Sequence, residues 1–278
     1  MGIPVDALID LDRYPVLDAD ANVVEALIED ARDQLTSMGA VELPGFLNPT
    51  GVAALVADAE ALAPRAHHSA GEGTPYLEYP DFSLPAGHPR LTWGHYAVGA
   101  VPYDLMPADS LLRQVYEWEP LRNLLEKILD RGPIYRYADP FGALNLAVMH
   151  EGDELQWHFD QTDFVVSLAI QTADHGGHFE VFPRIRTVEN ECYDDVSAAL
   201  AGTDEGVVTL PMVPGTLLVF EGRNSLHRVS PVGSGRSRHV GLLAYDTKAG
   251  TMGSELLREV RYGRSEPFAA APMTWTAA

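Results

Sequence analysis

Apolar residues between Asn22 and Gly39 recur at near-helical spacing, at Val23, Val24, Ala26, Leu27, Ala31 and Leu35, and Gly39 supplies a stop. The pattern predicts an amphipathic helix followed by a short strand in AVELPGFL. Asn48-Pro49 then opens a second helix running to about Leu62, because asparagine caps free amides and proline is tolerated in the first turn. Residues 65–107 are rich in His, Pro, Gly and Tyr and lose the periodicity, which predicts loop with short strands. Such a stretch serves as a lid or binding loop, or as an ordered surface crossing. SLLRQVYEWEPLRNLLEKILD restores the helical pattern and closes the N-terminal half.

After Pro133 the chain changes to short β-type runs separated by turn signals: IYRYA, ALNLAVM, QWHFD, FVVSLAIQ, HFEVFP, VVTLPM, GTLLVF, HRVSPV and HVGLLAYD. Regular short strands of this kind predict a sandwich, jelly roll or barrel, interrupted by one helix at about Tyr193 to Leu200. No repeat, low-complexity tract or interdomain linker is visible, so 278 residues read as a single domain. Residues 1–132 form a helical support and lid region, 133–264 the β core, and 265–278 a surface tail.

Charge narrows the partners. With 40 acidic and 19 basic residues the formal charge is −21, a field that repels nucleic acid backbones and anionic membrane surfaces. A lone cysteine, Cys192, leaves no internal disulfide framework or Cys-rich metal site and agrees with a reducing compartment. Without a basic, then apolar, leader or a run of 18 apolar residues, the expectation is a cytoplasmic protein. Its oligomeric state is not readable.

The candidate chemistry lies in His158-Phe159-Asp160 and His227. In an extended strand residues i and i+2 share a face, so His158 and Asp160 can present an imidazole and a carboxylate to one ion. Two histidines and one carboxylate leave coordination positions open, the donor set of oxygen-activating iron(II). The short motif is weak by itself: ten histidines and this acidic content give about 1.4 His-x-acid matches by chance, and a second, His178-Phe179-Glu180, is present. Arg236 and Arg238 follow His227, and a buried arginine there can grip a carboxylate through two parallel hydrogen bonds. On spacing alone a turn with two solvated arginines and a core histidine at 227 accounts for the same residues.

Three segments in fixed order carry a resemblance: RYADPFGALNLAVMHEGDELQWHFD, FVVSLAIQTADHGGHFEVFPRIR and PGTLLVFEGRNSLHRVSPVGSGRSRHVGLLAYDTKAG. Over roughly residues 108–264 the chain resembles the 2-oxoglutarate/iron(II) oxygenase superfamily, in the branch of the amino-acid radical halogenases and their hydroxylase relatives. The resemblance implies a mainly β fold with helical support (α+β), a cupin-like double-stranded β-helix or jelly roll. It implies Fe(II) held by His158, Asp160 and His227, with 2-oxoglutarate and O2 as cosubstrates. It favours Arg238 over Arg236 as the 2-oxoglutarate anchor, which strand parity cannot separate. It also places His178 and Glu180 outside the metal site, beyond the Gly176-Gly177 turn.

Radical halogenases of this branch carry Gly or Ala where this chain has Asp160, so the resemblance implies a dioxygenase that hydroxylates an amino acid or amino-acid-like metabolite. Desaturation or epoxidation, and a non-catalytic metabolite-binding jelly roll, are the alternatives. Leu242 and Ala244 share parity with Arg238 and are expected to line the substrate site. The LTWGHYAVGA segment offers Trp93, His95 and Tyr96 as lid residues, while Asn145 and Trp157 are expected beside the cofactor.

Overall fold

The computed structural model describes residues 2–17, 21–268 and 273. The expected tail at 265–278 therefore lies largely outside the described residues. Helix α1 (Ala21–Met38) ends where Gly39 takes a left-handed φ of +65°, and strand β1 (Ala40–Leu43) follows at once. Helix α2 (Pro49–Leu62) starts as its sequence dictates, with the Asn48 carboxamide oxygen accepting from the Gly51 amide at 2.9 Å.

The segment expected to be mostly loop contains β2 (His67–Gly73) and β3 (Gly94–Pro102), a nine-residue strand. Glycine and alanine weaken its local signal, and only pairing on both sides makes it a strand. The single helical region expected at 110–130 is two helices, α3 (Leu111–Glu117) and α4 (Glu119–Leu129), broken at Trp118, which is extended. Pro120 cannot donate to the preceding turn, and the freed carbonyls of Tyr116 and Glu117 accept instead from the Arg136 guanidinium, each at 2.9 Å.

The remaining strands are β4 (Tyr135–Arg136), β5 (Leu144–Met149), β6 (Glu154–His158), β7 (Val165–Gln171) and β8 (Phe179–Phe182). Helix α5 (Tyr193–Leu200) interrupts them before β9 (Val208–Leu210), β10 (Leu217–Phe220), β11 (Leu226–Val229), β12 (Arg238–Leu243) and β13 (Tyr245–Asp246). A C-terminal helix, α6 (Glu255–Tyr262), was not expected from the apolar pattern, although Ser254 caps its start and Gly263 its end.

All but β4 and β13 join one curled antiparallel sheet in the order β1-β10-β7-β12-β5-β3-β6-β11-β8-β9, with β2 beside β3. Strand β3 belongs to both halves, pairing with β5 through Gly99–Pro102 and with β6 through Tyr96 and Ala97. Leu144, Leu146 and Val148 of β5 pack outward under the N-terminal helices, while Ala147 and Met149 face inward against Ala169, Phe179, Leu218 and Val229. Both faces are covered, so β5 is buried along its whole length. A third cluster, with Phe159, Phe182, Val196 and Leu226, backs the smaller half of the sheet beneath α5. This is the jelly roll that the family resemblance implies, one of the three architectures the strand pattern allows, and its inner face is where β6, β11 and β12 present their polar residues.

Candidate metal centre

Strand β6 carries His158 at its end, and β11 carries His227 directly opposite it. The register slips between the two strands: Val229 faces Leu155, so β6 has one extra residue, a bulge that turns both Leu155 and His158 inward. Asp160 lies two residues beyond the strand, its amide donating to the Gly222 carbonyl at 3.0 Å. The donor atoms of His158, Asp160 and His227 all lie within 4.8 Å of one another, and the two imidazoles are 4.2 Å apart between ring centroids.

Protons decide what this cluster can hold. His158 Nδ1 lies 2.7 Å from the Gln156 carbonyl oxygen and His227 Nδ1 lies 2.9 Å from that of Ser225. A carbonyl only accepts, so each Nδ1 carries a proton, and in the neutral ring the lone pair that can bind an ion is on Nε2. His227 Nε2 faces the Asp160 carboxylate oxygen Oδ2 at 3.3 Å. That oxygen is buried and has no hydrogen-bond partner. Two imidazole nitrogens and a carboxylate oxygen converging in this way fit a divalent cation, and the two Nδ1–H groups are oriented as in histidine-ligated metal sites.

Burial pushes the His158 pKa down to about 4, assisted by His227 and opposed by Asp160 and the Gln156 carbonyl. The folded imidazole is therefore neutral in the window where an unfolded one protonates. Since the unfolded chain binds more protons between pH 6.5 and 4, stability of the metal-free protein is expected to fall through that window on acidification. Thermal midpoints of metal-free wild type and His158→Gln across pH 4–7 check this. The substitution should flatten part of the slope, and parallel curves would refute it.

Gly222 was not singled out by the sequence, yet it shapes the site. A Cβ there would sit 2.0 Å from Asp160 Oδ2, so only glycine leaves the carboxylate its place. A glycine within the turn EGRNSL, five residues before His227, was the available signal.

The two downstream arginines part company. Arg236 lies in the turn before β12, is half exposed and pairs with Asp174 at 3.3 Å. Arg238 begins β12, is 7% exposed, and among the described residues its guanidinium donates to the Met149 sulfur at 3.8 Å. Among the described residues no carboxylate pairs with it, and burial pushes its pKa down to about 10. Gly177 leaves room for its side chain, since a Cβ there would be 3.2 Å from Arg238 Cδ.

The other expected site residues scatter. Asn145 shares the inward face of Ala147 and Met149 on β5, is 5% exposed and has an Oδ1 without a hydrogen-bond partner among the described residues. Leu242 faces inward on β12, whereas Ala244 lies past the strand end, its carbonyl accepting from Tyr116 and Tyr137. Trp157 points outward, its ring tilted against Phe182 at 5.0 Å and under Arg228, away from the metal face. His95 is also on the outer face, beside Glu154 at 3.2 Å, while Tyr96 is opposite inward-facing Leu155. Neither is a lid residue, because both belong to β3. Trp93 is half exposed just before that strand. His178 is exposed, and Glu180 pairs with Arg228 at 2.5 Å, so the second His-x-acid motif lies outside the cluster.

A family model described as Halogenase D matches residues 100–260, which span β5 to β12 and both histidine-bearing strands. The chain belongs to the Halogenase D family. Within that family's span it carries a carboxylate at position 160. No curated protein matches the chain in sequence.

Among solved structures, the chain is similar to SnoN, a non-haem alpha-ketoglutarate-dependent epimerase from nogalamycin biosynthesis. The two share 15% identity over 90% of this chain and 94% of that one, with a TM-score of 0.58. A prolyl hydroxylase from Trichoplax adhaerens, in complex with a hypoxia inducible factor peptide, is 15% identical over 81% and 91% of the two chains, at 0.55. An oxidoreductase of the 2OG-Fe(II) oxygenase family from Burkholderia pseudomallei is 16% identical over 81% and 92%, at 0.52. At such identities the likeness shows the fold, and this Halogenase D member shares the jelly roll of the 2-oxoglutarate/iron(II) oxygenases. No described helix is long and apolar enough to cross a membrane.

Proposed function

We propose that the protein is an Fe(II)- and 2-oxoglutarate-dependent dioxygenase that hydroxylates an unactivated carbon of a small molecule, an amino acid or amino-acid-like metabolite. The observation that carries the reading is the convergence of ligand atoms of His158, Asp160 and His227 within 4.8 Å of one another, with the Nδ1 of each histidine turned to a main-chain carbonyl. Fe(II) bound there supplies dioxygen activation and C–H oxidation, with 2-oxoglutarate converted to succinate and carbon dioxide. The protein residues supply position and charge.

Arg238 is the proposed grip on the far carboxylate of 2-oxoglutarate. A buried guanidinium with no counterion is costly, and a ligand carboxylate accepting two parallel N–H bonds offsets that cost. Arg236 already has Asp174 and lies on the surface. Arg238→Ala is therefore expected to raise the 2-oxoglutarate KM by roughly 10²-fold, the scale of a lost charge-assisted pair of ~3 kcal/mol. Arg236→Ala should change it less than about twofold. Steady-state succinate formation measures both, and the reverse order would move the assignment to Arg236.

Hydroxylation rests on Asp160, because the halogenase branch opens that position with Gly or Ala. Ala147, Val240 and Leu242 make the inner wall near Arg238 largely apolar, which suits the carbon skeleton of a substrate. A panel of metabolites, amino acids first, tests the reaction by substrate-dependent succinate and a mass gain of one oxygen. Anaerobic addition of Fe(II) and 2-oxoglutarate should give a weak visible charge-transfer band. A folded protein without that band would remove the cosubstrate reading.

A further inference from the structure

The metal ligands arrive on two separate arms. One is the end of β6, with Phe159 between His158 and Asp160; the other is the turn Glu221–Ser225 leading into His227. Between the last β6 residue and Val165 the first arm has no strand pairing. Its backbone is held instead by Phe159 N–H donating to Pro75 O at 2.7 Å and Asp160 N–H to Gly222 O at 3.0 Å.

Arg186 touches both arms. Its Cζ lies 3.8 Å from the centroid of the Phe159 ring, and its Nε donates to the Arg223 carbonyl at 2.7 Å. Its own amide donates to the Asn224 carbonyl at 3.3 Å, and NH1 pairs with Glu191 at 2.8 Å. Tyr76, from the β2–β3 connection, completes the stack, 5.2 Å from the Phe159 ring and 5.2 Å from Arg186 Cζ. The Arg186 side chain is 12% exposed and Phe159 1%, so neither contact is a loose surface one. The guanidinium is a planar fork, able to stack on a ring with its face while donating along its edge.

We propose that Arg186 is a positioning residue for the metal centre, setting the separation of the His158–Asp160 arm from the His227 arm. The proposal rests on the metal-site reading above. Its chemistry is geometric: a planar cation spans the back of the site, its face on the residue between two ligands and its edge on the turn that leads to the third. A lysine keeps the charge but cannot stack and donate in the same way, whereas glutamine loses the charge and most of the reach.

The test uses the full chain with Co(II) as the sole probe, reading both the titration and the visible d–d bands of the bound ion. Arg186→Gln is expected to weaken Co(II) binding by about tenfold or more and to shift the bands, the scale on which outer contacts tune metal sites. Arg186→Lys should fall between wild type and Arg186→Gln, and keeps the test decisive if the glutamine variant folds poorly. Arg90→Gln is the control: Arg90 stacks on Tyr76 at 4.6 Å and pairs with Glu78 and Glu191 but touches neither arm. It should lower the thermal midpoint while leaving affinity and bands unchanged.

Wild-type bands with unaltered affinity in folded Arg186 variants would overturn the inference alone. An equal change in Arg90→Gln would overturn it by assigning the effect to the whole cluster. A wild-type protein that took up no Co(II) or Fe(II) would remove the metal-site reading and this inference together.

Discussion

Asp160→Ala is expected to lower substrate-dependent oxygen insertion by roughly 10³-fold or more while leaving the metal-free protein as stable as wild type or more so. The two effects have opposite signs because the carboxylate serves the ion rather than the fold. In the metal-free protein Asp160 Oδ2 is buried, has no hydrogen-bond partner among the described residues and is set against His227 Nε2. Removing an unsatisfied acceptor of this kind returns on the order of 1 kcal/mol. The stabilisation that metal gives the wild type, growing with the ratio of free metal to Kd, should shrink in the variant. Thermal melts with and without Fe(II), run anaerobically, and mass spectrometry of the product measure both halves. Unchanged succinate and product formation would sink the ligand role of Asp160.

The second large effect comes from a residue with no side chain. Gly222→Ala puts a methyl group where the Asp160 carboxylate sits, 2.0 Å from Oδ2, and the neighbouring amide pairing gives the backbone little freedom to retreat. The side chain of Asp160 must rotate away, so metal affinity should drop by about 10²-fold. The clash makes a further requirement. In an Asp160→Ala background the same Gly222→Ala change should cost little more, because its collision partner is gone. A double-mutant cycle on metal affinity is therefore expected to show strong coupling between the two positions. Additive losses would mean that Gly222 acts through something other than the carboxylate.

How far the sequence reached depends on whether the deciding contacts were local. The β runs after Pro133 alternate between two covered faces, and their positions in the chain match β4 to β13 closely. Helix α2 was legible because Asn48-Pro49 is a local cap. Strand β3 was not, since its strand character comes from β2, β5 and β6 rather than from its own Gly- and Ala-rich residues. That His158, Asp160 and His227 come together was readable from residue type, order and family resemblance. Gly222 and Arg186 were not, because each acts across 60 or so and 27 residues of chain, respectively, through contacts that exist only once β6 and β11 are paired.

Arg236 and Arg238 mark the boundary of parity reasoning. Two residues apart, they were equivalent as long as both were assigned to one strand. The strand begins at Arg238, so Arg236 sits in a turn with Asp174 and the inward direction belongs to Arg238 alone. His95 and Tyr96 show the same limit from the other side: placed in a loop they were interchangeable, while in β3 they face opposite ways.

The proton arrangement of the two imidazoles has a consequence for how such a site can diversify. Each ring is aimed by the peptide carbonyl two residues before it, Gln156 for His158 and Ser225 for His227. Main-chain acceptors survive side-chain substitution, so the two proposed nitrogen ligands are indifferent to what replaces their neighbours. The carboxylate instead depends on its own side chain and on the space beside Gly222. A lineage built on this scaffold can therefore exchange the third ligand in one step, inheriting the other two already oriented, and the chemical outcome becomes the most easily altered property of the centre.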